Sequence, residues 1–416
     1  MEEDPTTQLL ALLQSKTEEL NTLQSQQNSS QSAVLSREII NLVDTAPPLN
    51  GLPKLARAKL LYYKGRALAT KDTYDKSAED NLTRSVKLDP TNGDAWNWMG
   101  EMLYLKGDYA QSKRCFEGAL EHTGPNKEIL RKLSMISRFV GNDEERKNNV
   151  ANSVGLAKQA LAIDIKDGNS WYVLANAHLT NFFINRPSSE ELNRALKAYG
   201  QAENFLDAPN PDLCYNRGEA YKYLERYQEA IIEFQKAHEL DPALNAQGQI
   251  SQIMELVSLI NQKIRTSCGI KKKTLSAMVK TMPITIKSKP FGENYSPAHL
   301  GLLEAGKNQS KILICKVLGT AASGPEATPA VFIACDSQGI FFCLSVYNIN
   351  SQIHQLFTFE SVLFIGDPLL SKVQLTFGEI NIEYWNIKVV DPNSLLIDSK
   401  KIEGACSPGV VVNQAL

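Results

Sequence analysis

The sequence lacks the marks of a catalyst, a metal protein or a membrane protein. Its five histidines (His122, His178, His238, His299, His354) lie far apart, with no H-E-x-x-H and no adjacent Cys or Asp to build a triad or a metal set. The seven cysteines (Cys115, Cys214, Cys268, Cys315, Cys335, Cys343, Cys406) are scattered, odd in number and contain no C-x-x-C pair. That argues against a disulfide framework and a zinc site and predicts reduced, mostly buried thiols. No uninterrupted apolar run would cross a bilayer, and Met1-Glu2-Glu3-Asp4 is opposite in charge to the start of a signal peptide. The chain is therefore expected in the cytoplasm, with a nuclear pool, and away from membranes. A net charge of −2 gives no global basic field, so any contact with nucleic acid must be local. No enzymatic activity and no cofactor are expected.

What is present is a repeat. At 416 residues and 43% hydrophobic content the chain has material for two or three packed domains. Trp96, Met99, Gly100, Gly107, Tyr109, Phe116 and Ala119 form one copy of a pattern. Arg217, Gly218, Tyr221, Tyr227, Ala230, Phe234, Ala237 and Pro242 form another. A period of about 34 residues with small and aromatic residues at set places resembles the tetratricopeptide pattern of stacked helix pairs. Small residues such as Gly100 and Ala119 let two helices approach, while Tyr109 and Phe116 are expected to fill the space between a pair and its neighbour. Weaker copies around Gly65, Leu133 and Ala175 bring the count to about five. Gly141 to Glu145 and Asn185 to Ser189 are expected as insertions in turns. Helices over residues 6–26 and 33–44 are expected to cap the array at its start, and one over 246–264 at its end.

In stacked pairs the first helix of each lines the concave side, at positions three or four apart. That lining is predicted to include Tyr62, Arg66, Asn97, Glu101, Tyr104, Arg131, Met135, Arg138, Asn169, Tyr172, Asn176, Asp212, Tyr215, Glu219 and Lys222. Amides, tyrosines and both signs of charge suit an extended peptide better than a lipid. The alternative is a merely solvated helix face. A clamp for an acidic C-terminus is disfavoured, because Glu101, Asp212 and Glu219 would repel it.

From Lys263 to Lys289 the chain carries eight basic residues and no acid. Lys271, Lys272 and Lys273 are its densest part, and a phosphate backbone is one counterpart. A nuclear-import signal or a solvated linker are the others. Beyond residue 291 short β-rich runs take over at 311–318, 330–334, 341–347, 362–364, 373–377 and 380–390, with Asp336-Ser337-Gln338-Gly339 as a hairpin turn. A small barrel of the oligonucleotide-binding (OB) type fits these strands. Phe341, Phe342, Tyr347, Tyr384 and Trp385 could stack on bases, although strand aromatics more often belong to a core. Gly301 to Asn308 approaches a phosphate-binding loop, but Asn308 stands where Ser or Thr must hold magnesium, so the match is read as chance.

The expected architecture is thus mainly α: capping helices with some disorder over 1–50, a tetratricopeptide-repeat superhelix over 51–265, a basic linker over 266–290 and an OB-fold-like β-barrel over 291–416. With repeats first and a barrel last, the chain resembles the tetratricopeptide repeat protein 5 family. The stretches that carry the likeness are Leu133 to Arg138, Asp167 to Tyr172, Asn210 to Leu213, Asn216-Arg217, Tyr227 to Ala230, Val346 to Asn348 and Ile365 to Asp367. The resemblance implies recognition of the N-terminal Met-Arg-Glu peptide of nascent tubulin at the ribosome, leading to tubulin mRNA decay through mRNA-decay adaptor proteins. It also implies nuclear scaffolding of acetyltransferase coactivators, with DNA as a partner of the barrel. It matches Arg138 to the family's peptide-contacting arginine, Asp212 to its acidic neighbour, and Lys271, Lys272 and Lys273 to lysines that touch ribosomal RNA.

Overall fold

A computed structural model describes residues 4–26, 28–70, 73–185, 189–283, 291, 294–322, 329–349 and 355–401. The chain forms two compact units, Met1–Asn181 and Phe182–Leu416. The first contains α1 (Pro5–Ser25), α2 (Ser29–Asp44), α3 (Lys54–Leu68), α4 (Lys76–Leu88), α5 (Gly93–Lys106), α6 (Tyr109–Thr123), α7 (Lys127–Ser137), α8 (Asp143–Ile163) and most of α9 (Gly168–Asn185). Polar N-caps start most of them. Asp75, Asn92, Asp108 and Asn126 each accept a backbone N–H of the turn they open, and Asn142 forms a capping box with Glu145. That box corrects one expectation: Asp143 to Glu145 are the first turn of α8, not turn insertion.

The small-residue positions explain the pairing. A Cβ on Gly65 would lie 2.7 Å from Leu82, and one on Gly100 2.8 Å from the Phe116 ring, so α3 meets α4 and α5 meets α6 only where no side chain intervenes. Leu13, Leu20, Leu35 and Ile39 of α1 and α2 join one core with Leu60, Tyr63 and Leu82. The N-terminal helices therefore continue the stack. Phe116 is buried as expected, whereas Tyr109 is 38% exposed and its ring lies 5.7 Å from those of Tyr104 and Phe139.

The second unit holds α10 (Ser189–Phe205), α11 (Pro211–Tyr223), α12 (Tyr227–Leu240), α13 (Ala246–Arg265) and α14 (Lys272–Lys280). Gly218 repeats the Gly100 geometry, 2.8 Å from Phe234. The expected linker contains α14, whose Met278 packs with Met282, Leu318 and Cys335. Lys287 and Lys289 lie outside the described residues, as do Cys406 and His354.

The strands are β1 (Ser296–Ala298), β2 (Gly306–Lys307), β3 (Lys311–Ala322), β4 (Ala330–Asp336), β5 (Phe341–Val346), β6 (Val362–Gly366), β7 (Leu369–Phe377), β8 (Ile380–Val389), β9 (Leu395–Ile397) and β10 (Lys400–Lys401). Their order is β10-β9-β6-β3-β4-β5-β8-β7-β2, with β5 and β8 parallel and β1 beside β3. The run β3-β4-β5-β8-β7 supplies five strands of an OB-type Greek key. Phe332, Phe342, Leu344, Leu363, Ile387 and Leu395 fill its interior. Asp336 closes the β4–β5 turn by accepting from Gln338 N and Ile340 N, while Gly339 adopts φ +75°. Asn308 binds the carbonyls of Glu304, Gly306 and Pro368, a structural task that accounts for an amide at that place.

The outer face of this sheet is covered too. Val331 and Ile333 of β4, Cys343 of β5, Val373 and Leu375 of β7, and Ile382 and Tyr384 of β8 share a core with Tyr227, Ile231 and Phe234 of α12 and Ile250, Ile253 and Val257 of α13. The last helices and the β domain thus fold around one another. This explains why β4 reads as continuously apolar rather than alternating: it is buried on both faces.

Candidate functional site

In the first unit, residues of α5, α6, α7 and α9 surround a cavity of about 400 Å³. Its walls are Tyr104, Phe116, Met135, Tyr172 and Val173, and its polar lining is Glu101, Glu128, Arg131, Lys132 and Asn169. Six predicted lining residues, Glu101, Tyr104, Arg131, Met135, Asn169 and Tyr172, meet here. Asn97 lies alongside, accepting from Lys132 Nζ at 3.3 Å.

The charges at this cavity are largely matched within the protein. Lys132 Nζ lies 2.5 Å from Glu101 Oε1, and Arg131 Nη1 lies 2.5 Å from Asp167 Oδ2. Burial pushes the Asp167 carboxyl up, but the Ser170 hydroxyl and Arg131 outweigh it and hold it below the ordinary range. The Arg131 partner was missed because Asp167 precedes α9 and falls outside the inward helical positions.

Arg138 and Asn176 depart from expectation, since both are only 3% exposed rather than displayed on an open surface. Arg138 forms the C-cap of α7, one residue past the helix, and its carbonyl accepts from Arg146 Nε. Tyr104, which lines the cavity, feels the Arg138 charge as a downward influence on a phenol otherwise raised by burial.

In the second unit, α11 carries Asp212, Tyr215, Glu219 and Lys222. Gln249 of α13 donates to Tyr215 Oη at 3.1 Å and accepts from Lys222 Nζ at 2.5 Å. Asp212 has no ion pair among the described residues, and burial, then the neighbouring Asp241 charge, raises its carboxyl. Burial raises Glu219 as well, with Lys222 a weak counterweight at 3.9 Å. Two partly buried carboxylates without full compensation favour a cation at this face.

The β domain does not offer the aromatic platform that the sequence allowed. Phe342 is in the interior, and Tyr347 and Tyr384 are buried at 4% and 5% exposure. Phe341 packs against the apolar side of α14, leaving Trp385 at 39%. OB domains bind single strands across their second and third strands. Here those strands are β4 and β5, and α12 and α13 occupy their outer face. Lys271, Lys272 and Lys273 are exposed at the start of α14, with no acid in its first turn. The helix dipole adds to their positive field.

Comparison with known proteins agrees with this layout. Tetratricopeptide repeat models match residues 93–121 and 211–244, and the model of the tetratricopeptide repeat protein 5 OB fold domain matches 294–408. The chain is therefore a tetratricopeptide-repeat, protein-binding adaptor with a C-terminal OB-fold domain. Tetratricopeptide repeat protein 5 of Homo sapiens is 31% identical over 369 residues, covering 85% of this chain and 83% of the relative. That of Mus musculus is 33% identical over 360 residues, covering 82% and 80%. The chain belongs to the tetratricopeptide repeat protein 5 family. Among solved structures, MamA 41-end from Desulfovibrio magneticus RS-1 is similar at 17% identity and a TM-score of 0.36, covering 45% of this chain and 96% of that one.

Proposed function

We propose that this adaptor reads the N-terminal Met-Arg-Glu peptide of nascent tubulin at the ribosome and triggers decay of tubulin mRNA. The observation that carries this reading is the uncompensated acidity of α11. Asp212, raised by burial and by Asp241, gains most from a peptide arginine, whose guanidinium can bind a carboxylate in bidentate fashion. Arg138, near enough to Tyr104 for its charge to lower that phenol, is the proposed partner of the peptide glutamate. Asn97 and Asn169 would supply amides for the peptide backbone, and Tyr172 an aromatic wall beside them. Lys271, Lys272 and Lys273 would meet ribosomal RNA phosphates, a contact that weakens with salt. An mRNA-decay adaptor would then be recruited in the cytoplasm.

The covered outer face of β4 and β5 weighs against a second reading, in which the barrel grips DNA while the repeats scaffold acetyltransferase coactivators in the nucleus. The test is recovery of the chain from a lysate translating tubulin. Association with those ribosomes should fall when puromycin strips the nascent chains, and for Arg138→Ala. Association indifferent to both would refute the reading.

A further inference from the structure

We infer that the cavity among α5, α6, α7 and α9 is a specificity pocket for an uncharged, apolar side chain of an extended peptide. The inference rests on the proposal that the repeats bind a peptide, and adds a requirement separate from its ionic contacts. The walls are the rings of Tyr104, Phe116 and Tyr172 with Met135 and Val173, and the volume, about 400 Å³, lies in the range of roughly 300–1,000 Å³ typical of ligand pockets.

Charge pairing excludes an ionic occupant. Lys132 already has Glu101 at 2.5 Å and Asn97 at 3.3 Å, and its ammonium stands 5.7 Å from the centre of the Phe116 ring. Arg131 has Asp167 at 2.5 Å, and Ser170 holds that carboxylate as well. An acidic guest would have to break one of these pairs to reach a cation, and would strand a carboxylate in doing so. Glu128 is exposed, so solvent screens the charge it offers to a basic guest. An apolar guest disturbs none of this and removes aromatic and methionine surface from water. Asn169, exposed at the start of α9, offers an amide to the backbone of such a guest.

The experiment uses the full chain and fluorescent N-terminal tubulin peptides in which each apolar position carries Leu, Phe, Ala or Asp in turn, read by anisotropy. At one position, Leu to Ala should weaken binding about 10-fold and Asp more. Met135→Trp, which fills the pocket, should abolish that preference while leaving the dependence on the peptide's Arg and Glu. If Met135→Trp does not fold, Met135→Ala should shift the preference from Leu toward Phe. A Met135→Trp chain that folds and keeps the wild-type ranking overturns the pocket but leaves the peptide reading intact. Loss of all peptides by the wild-type chain overturns both.

Discussion

Lys388 of β8 places its ammonium 3.0 Å from the carboxylate of Glu225, in the turn between α11 and α12. The same carboxylate accepts from Ser345, from Tyr347 Oη at 2.9 Å and from Asn386 Nδ2 at 3.0 Å, while Lys388 also donates to Leu224 O at 2.6 Å. The corresponding turn of the second repeat has Gly107 at φ +86°, whereas Glu225 accepts the same left-handed region at φ +58°. That conformation costs roughly 1–2 kcal/mol for a residue with a Cβ. The buried network offsets it and seats the β domain on the last repeat.

Glu225→Ala should leave the partly buried Lys388 without its partner and destabilise the second unit by about 3 kcal/mol, measured by urea unfolding. Adding Lys388→Met should recover much of the loss. A single-variant loss below 1 kcal/mol would show that the network is not what seats the domain.

Gly218→Ala puts a methyl group 2.8 Å from the Phe234 ring, in a helix pair with no room to part. The expected cost is about 1–3 kcal/mol, despite the better helix propensity of alanine. Thermal unfolding checks it, and an unchanged Tm would mean that the pair relaxes.

Much of this was legible in the sequence because the repeat period reports packing directly: Gly100 and Gly218 face Phe116 and Phe234 as spacing demands. The helix α14 was not, because Leu275, Met278 and Val279 are dispersed among lysines. The strands β1, β2, β9 and β10, two or three residues each, are too short to show a period. Spacing gives the direction of a side chain on its own helix but not what covers it, so the burial of Arg138 and Asn176 to 3% exposure was not legible. One missed signal was readable: Glu225 breaks the glycine position that Gly107 keeps.

Asp212 gives a pH dependence with a definite sign. Its carboxyl, like that of Glu219, is raised in the folded chain by burial, so ionisation costs stability as pH rises through the folded value, and the cost disappears below the unfolded value of about 3.9. Asp212→Asn should be more stable than wild type at pH 7.5, with a difference that shrinks toward pH 4 in urea titrations. Binding of an arginine-bearing peptide should weaken on acidification in the wild type. In the variant it should be at least about 10-fold weaker at pH 7.5, the loss expected when one charged partner is removed, and depend less on pH.

The most direct measurement places a benzophenone amino acid at Asn169 or at Tyr215 and irradiates the full chain in a lysate translating tubulin. An adduct with nascent tubulin is expected at both positions, lost when the Arg and Glu of its N-terminus are replaced. Adducts with unrelated nascent chains in equal yield, or none with tubulin while the protein still sediments with ribosomes, would contradict peptide reading by the repeats.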